Sequence, residues 1–153
     1  SLALTADELQ IPFDASKRGG RRPTRAEPKR GLVSKSRAEA CDRTSAALNP
    51  HINKIGKRPQ TDNPAMNARI LADTFAQASI AARALHTADP KVQDLIDKWA
   101  TAANAVNTTM KRGVDLAKAG EAAKATEQFE LAEAKEAAAN KIVGELNALC
   151  GIR

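Results

Sequence analysis

Four segments of this sequence repeat their apolar and small residues every three or four positions, and short runs that contain proline or glycine separate them. A spacing of three and four places these side chains on one face of an α-helix. No segment longer than a few residues alternates with the two-residue period of a strand, and β-branched residues are scattered. The pattern therefore predicts an all-α fold.

The first helix is expected to begin after Ser34, a fair N-cap residue. Pro50 lies inside its apolar row, so the helix either bends there or ends at Leu48 and leaves a short second piece. Residues 56–63 contain Gly56, Pro59 and two basic residues, which predicts a loop.

Start and stop signals delimit the other three helices. Asn63-Pro64 and Asp89-Pro90 each combine a capping side chain with a proline at the first helical position, where the missing N–H costs nothing. Gly120 and Gly151 are expected to take the left-handed conformation that closes a helix. The inward stripe of the second helix is expected to contain Met66, Ile70, Leu71, Thr74, Phe75, Ala78, Ala81 and Leu85.

The connections near residues 87–90 and 119–121 are short, and short connections force consecutive helices to lie antiparallel. We therefore predict an up-down-up-down four-helix bundle over residues 34–153. Its core is expected to be rich in alanine, with Phe75, Trp99 and Phe129 as the large anchors. Because each alanine buries little area, such a core stabilises a bundle weakly.

The positive charge of the chain is concentrated in its first 62 residues, and most densely between residues 17 and 30. The whole sequence carries 24 Lys and Arg against 18 Asp and Glu, and the entire excess of +6 falls within residues 1–62. Residues 1–33 are therefore predicted to form an extended basic arm, flexible or ordered only by a partner, because its prolines and glycines break helices and its charges repel. Between residues 17 and 30 the arm contains one acid, Glu27, and seven basic residues: Lys17, Arg18, Arg21, Arg22, Arg25, Lys29 and Arg30.

Three kinds of partner suit this arm. It could neutralise nucleic-acid phosphates, although without aromatic residues it would read little sequence. It could lie on an anionic membrane surface, where each basic residue adds about 1 kcal/mol. It could also order on contact with an acidic protein partner.

Two cysteines occur, at Cys41 near the start of the first helix and at Cys150 near the end of the fourth. An up-down-up-down bundle brings these positions together, which predicts a disulfide; the alternative is two unrelated buried thiols. A structural disulfide points to an extracytoplasmic location and disfavours nucleic acid as the partner. No apolar run approaches the roughly 18 residues of a membrane-spanning helix, so we expect any anchor to lie outside this sequence.

Catalytic and metal-binding patterns are sparse. His51 and His86 are the only histidines, neither has metal-ligand spacing, and both are expected at the surface. Glu127, Glu130, Glu133 and Glu136 recur every three residues without a matching histidine, which favours a solvated helix face over a metal site. We therefore expect no enzyme activity, no metal and no cofactor, although a bundle of this kind could still carry haem or a small apolar ligand between its helices.

Four further features occur together: the early Cys41, the sequence Asp97-Lys98-Trp99, the Ala-Gly-Glu turn at 119–121 and the ending Leu-Asn-Ala-Leu-Cys-Gly at 146–151. In this combination the chain resembles a class of uncharacterised extracytoplasmic helical-bundle domains of actinobacterial envelope proteins. The resemblance covers about residues 34–153 and implies a secreted or membrane-anchored bundle with a disulfide from the first helix to the fourth. It implies no activity.

The sequence thus predicts a non-enzymatic extracytoplasmic interaction or accessory subunit. A protein partner, within a membrane-associated complex or free, is the expected ligand, and the basic arm is expected to contribute to binding. Carriage of a small apolar ligand or haem is the alternative, and association with nucleic acid is the third possibility.

Overall fold

The computed structural model describes residues 35–151 of the chain, and these residues form four packed α-helices with no strand among them. Helix α1 spans Lys35–Gly56, α2 spans Pro64–Arg83, α3 spans Pro90–Lys118 and α4 spans Ala122–Cys150. The predicted all-α class with four helices is confirmed. The basic arm over residues 1–33 and the N-cap predicted at Ser34 lie outside the described residues.

The predicted capping signals are confirmed at both proline starts. The Asn63 side chain accepts hydrogen bonds from the backbone N–H groups of Ala65 and Met66 at 3.0 and 3.2 Å. Asp89 accepts in the same way from Lys91 and Val92, both at 3.0 Å. Each carboxamide or carboxylate oxygen thus satisfies two of the N–H groups that a helix start leaves without a partner.

Glycine closes α3 and α4 as the sequence predicts. Gly120 has a φ of 80° and Gly151 has a φ of 74°, both in the left-handed region. After α3, the Glu121 N–H donates to the Leu116 carbonyl at 2.9 Å and the Gly120 N–H donates to Ala117 at 3.1 Å. This pair of bonds is a Schellman motif, which allows α4 to begin two residues after the turn.

Helix α1 continues through Pro50 instead of ending at Leu48. Proline removes the hydrogen bond that its N–H would donate to the carbonyl of Ala46, but both residues lie on the exposed side of the helix. The inner side is intact across this point, since Leu48, Ile52 and Ile55 are all buried. Because buried side chains lie both before and after the proline along the chain, their packing holds the two parts of α1 in one helix.

The core contains the expected large side chains Phe75 and Trp99, which are fully buried, whereas Phe129 is only half-buried. The assignment of Met66 and Ile70 to the inward stripe of α2 is wrong, because these side chains are 51% and 42% exposed. Rotation of 100° per residue places them away from the buried row of α2. The buried residues of α2 include Leu71, Phe75, Ala78 and Ala82.

Side-chain contacts place the beginning of α1 beside the end of α4 and the beginning of α3. Cys41 and Cys150 form a disulfide with their Cα atoms 5.9 Å apart, which confirms the predicted pairing. One turn earlier, Arg37 Nε donates to Asp89 Oδ2 at 2.9 Å and so joins α1 to the N-cap of α3. The three helix ends are therefore connected by one covalent bond and one ion pair.

Removal of the disulfide should lower the stability of the bundle substantially. The bond joins residues 109 positions apart, and closing a loop of that length is worth about 4 to 5 kcal/mol in the chain-entropy model. We expect Cys41→Ser/Cys150→Ser to lower the free energy of unfolding in urea by most of this amount. Thiol titration of the unreduced native protein should detect no free thiol, and two free thiols would contradict the bond. As a control, a reductant should destabilise the parent protein but leave the stability of the double variant unchanged.

The charge of Asp89 should contribute stability that is lost in acid. Burial raises the pKa of this carboxyl, but hydrogen bonds from the Val92 N–H, Arg37 and the Lys91 N–H, with the charge of Arg37, lower it below its ordinary value overall. Because the pKa of Asp89 is lower in the folded protein than in the unfolded chain, the ionised carboxylate contributes to the free energy of unfolding. This contribution is fully present at pH values above the unfolded-state pKa of about 4, and it is lost as the pH falls through the folded-state pKa.

Asp89→Asn separates this charge effect from capping, because an amide oxygen still caps a helix. In urea unfolding at about pH 6 the parent should be more stable than Asp89→Asn, and the difference should shrink as the pH is lowered below the unfolded-state pKa of about 4. Asp89→Ala should lose about 1 kcal/mol more than Asp89→Asn across this pH range, since it removes the cap as well. A difference between parent and Asp89→Asn that does not change with pH would contradict the assignment.

Candidate functional site

A cleft of about 570 Å³ opens where the beginning of α2 meets the end of α3 and the beginning of α4. This volume lies in the range of small-molecule and side-chain binding pockets. We call it the Phe129 cleft after the largest residue in its wall. Its lining is mainly apolar and consists of Arg58, Pro59, Asn63, Pro64, Ala65, Asn67, Ala68, Leu71, Ala117 and Phe129.

Gly113 of α3 sets the position of the Phe129 ring. A Cβ atom at Gly113 would lie 2.8 Å from Phe129 Cε1, which is closer than two carbon atoms can approach. The absence of a side chain at Gly113 therefore allows the ring to lie directly against the α3 backbone. Held there, the half-buried ring presents its remaining surface to the cleft.

The rim of the cleft is held by hydrogen bonds between the loop after α1 and the first turn of α2. The Thr61 N–H donates to Asn67 Oδ1 at 2.9 Å, and Asn67 Nδ2 donates to the Thr61 carbonyl at 3.0 Å. The Asn63 N–H donates to Thr61 Oγ1 at 3.1 Å. These bonds fix the loop, so the cleft is formed before any ligand arrives.

An ion pair between the loop and α4 borders the cleft. Arg58 Nη2 donates to Glu136 Oε2 at 2.5 Å, and the Glu136 side chain is only 1% exposed. The prediction that Glu136 belongs to a solvated face is therefore wrong, although Glu127 and Glu130 are exposed as expected. A buried carboxylate is stable only with a partner of this kind, so Arg58 is held in one orientation at the rim.

The spacing along α4 contained the signal for this buried acid. Glu136 lies four residues after Ala132 and three residues before Ala139, and both alanines are buried. Acids that recur every three residues turn around the helix by about 60° per step, so a run of four reaches the inner face at one end. The cleft itself had no comparable signal, because Gly113 and Phe129 meet only through packing of two helices.

Of the predicted site residues, the structure brings together Cys41 and Cys150, and the seven basic residues of the arm lie outside the described residues. His86 is exposed as expected, but His51 is half-buried, so its assignment to the surface is wrong in part. Burial lowers the pKa of His51, and the nearby charge of Lys54 lowers it further. The imidazole is therefore neutral near pH 7.

Within residues 35–151, no group of three or more His, Cys, Asp or Glu side chains is arranged to hold a metal ion. In the same range, no helix has both the length and the apolar character needed to cross a bilayer. Comparison of the chain with protein-family models, with curated proteins and with solved structures found no match.

Substitution of Gly113 by alanine should displace the Phe129 ring and so alter the wall of the Phe129 cleft. The new methyl group must displace the Phe129 ring, at an overpacking cost of about 1 to 3 kcal/mol that offsets the gain of about 1 kcal/mol in helix propensity. Gly144 of α4 is the matched control, because a methyl group added there would meet no neighbouring side chain or helix within 4 Å. In urea unfolding, Gly144→Ala should stabilise the protein and Gly113→Ala should not. In NMR spectra, only Gly113→Ala should shift the resonances of the Phe129 ring. Equal stabilisation by both substitutions would contradict the contact.

Proposed function

We propose that this chain is a non-enzymatic, extracytoplasmic interaction or accessory subunit that binds a protein partner through the Phe129 cleft. The observation that carries the proposal is the half-buried Phe129 ring in the wall of an open, pre-formed cleft. Aromatic side chains in concave apolar surfaces are the usual centres of protein interfaces. An apolar side chain of the partner would fill the cleft, with Asn63, Asn67 and Arg58 around its rim.

The chemistry of the lining supports binding rather than catalysis. Among the described residues that line the cleft, the polar groups are the amides of Asn63 and Asn67 and the guanidinium of Arg58. Amide groups and guanidinium groups orient a ligand by hydrogen bonding, whereas a general base or nucleophile requires a group that can accept or attack near neutral pH. The basic segment Lys17–Arg30 would add charge attraction to an acidic partner.

The proposal includes an up-down-up-down order of the four helices, and the side-chain contacts support it. Cys41 near the start of α1 meets Cys150 at the end of α4, while Arg58 just after α1 meets Glu136 fourteen residues before that end. Both contacts are satisfied if α1 and α4 run in opposite directions. The Cys41–Cys150 bond also supports the proposed extracytoplasmic location, because such bonds persist in oxidising compartments.

Carriage of a small apolar ligand is the second candidate, and the volume of the cleft favours it. A space of about 570 Å³ accommodates a drug-sized molecule. The haem version of this alternative has less support, since neither His51 nor His86 is among the residues that line the cleft.

Photocrosslinking from position 129 distinguishes the two candidates. We expect Phe129→p-benzoylphenylalanine, irradiated in cells that produce the protein, to form an adduct with another protein. Leu131→p-benzoylphenylalanine is the control, because Leu131 lies two residues away, is 42% exposed and does not line the cleft. A small mass increase on the intact protein would favour the ligand carrier instead, and adducts of equal yield from both positions would refute the cleft as the binding site.

A further inference from the structure

Rows of polar residues flank the places where α1 and the loop after it are joined to α4. On α1, Asp42, Ser45 and Asn49 are spaced by three and four residues, and on α4 the same spacing relates Glu133, Glu136 and Asn140. Asn147 continues the row of α4 two turns later. We call this pair of rows, with Arg58 at one end, the α1–α4 seam.

Two contacts establish how the rows are aligned. The disulfide places Cys41 level with Cys150, and the ion pair places Arg58 level with Glu136. Between these points, opposite helix directions place Ser45 level with Asn147. The same alignment places Asn49 within one turn of Asn140, so the polar side chains of both helices face one continuous strip.

Hydrogen-bond acceptors in this strip lack donors. Ser45 Oγ and the Oδ1 atoms of Asn49, Asn140 and Asn147 are buried, and none receives a hydrogen bond from residues 35–151. Ser45 is fully buried and Asn147 is 7% exposed, so bulk water does not reach them easily. A buried polar atom without a partner costs about 1 to 3 kcal/mol, and four of them along one strip indicate a missing group.

The missing group must supply hydrogen-bond donors, and the residue types of the seam favour a group that is also basic. Three of the four atoms are amide carbonyl oxygens, which only accept hydrogen bonds. The seam also contains three acids, Asp42, Glu133 and Glu136, together with the guanidinium of Arg58. Lysine and arginine side chains carry donors and no acceptors, so a basic peptide segment complements the seam in both respects.

The chain contains such a segment within covalent reach of the seam. Lys17–Arg30 has seven basic residues and one acid, and it is joined through four residues to the start of α1, at the Cys41 end of the seam. The seam spans the 17 residues from Cys41 to Arg58, about 26 Å of helix. Fourteen residues of extended chain reach about 46 Å, so the segment is long enough to follow the whole seam.

We propose that the α1–α4 seam is the docking groove of the basic segment Lys17–Arg30 of the same chain. Covalent attachment gives this segment an effective concentration in the millimolar range, which no separate basic peptide attains at ordinary concentrations. Docking brings its basic side chains along the acidic rows toward Arg58, at the rim of the Phe129 cleft. A partner that enters the cleft therefore meets the docked segment beside it.

Trypsin cleavage of the full-length protein tests this proposal, because trypsin cuts after lysine and arginine. The reference is a synthetic peptide with the sequence of residues 15–32. We expect the sites within Lys17–Arg30 to be cut at least about tenfold more slowly in the protein than in the peptide, since proteolysis follows the undocked fraction. Higher salt should abolish this protection, because the attraction depends on charge.

Two sets of substitutions locate the groove. Asn140→Leu/Asn147→Leu removes two acceptors from the seam, and Asp42→Asn/Glu133→Gln removes two of its charges. Each should accelerate cleavage of the segment about tenfold. Asn104→Leu on the exposed side of α3 is the matched control and should leave the rate unchanged. Circular dichroism before and after the assay confirms that each variant is folded.

Three results would overturn the proposal. Cleavage of the parent at the rate of the peptide would show that the segment is not docked. Protection that survives both sets of substitutions would place the segment elsewhere on the protein. Protection that increases with protein concentration would mean that the segment enters the seam of a second copy. None of these results bears on crosslinking from position 129, so this inference and the proposed function fail independently.

Discussion

The Cys41–Cys150 bond joins two helices that have little other reason to stay together. Helix α3 packs closely on α2 and α4 through alanines and a few large apolar residues, whereas α1 contacts α4 at few points and its buried residues include the polar Thr44 and Ser45. Apolar burial alone favours such a polar interface weakly. A covalent bond at one end and the Arg58–Glu136 pair at the other hold α1 in place, and the seam and the rim of the cleft both depend on that position.

Local chemistry explains which parts of the fold the sequence predicts well. The caps at Asn63 and Asp89 and the turns at Gly120 and Gly151 depend on residues within one helical turn, so their signals are complete in the sequence. The buried face of α2 is less clear from the sequence, because Met66 and Ile70 are apolar yet exposed. Where apolar residues occur on both faces, periodicity identifies the helix but not its buried side.

The functional features depend on contacts between distant residues. Phe129 is a wall of the cleft because Gly113 on another helix lacks a side chain, and no pattern within either helix indicates that contact. The seam likewise depends on distant residues, because the disulfide and the Arg58–Glu136 pair align its two rows. Glu136 stands between these cases, since its spacing from Ala132 and Ala139 predicts burial while its partner Arg58 lies 78 residues away.

The positions of the two described chain ends determine how the molecule can be presented to others. Lys35 begins α1 and Gly151 follows α4, so the disulfide keeps both at the same pole, whereas Ala117 and Phe129 lie near the α3–α4 turn at the far pole. The aromatic wall therefore lies at the opposite end of α4 from Lys35 and Gly151, and a ligand in the cleft would not crowd either of these two ends.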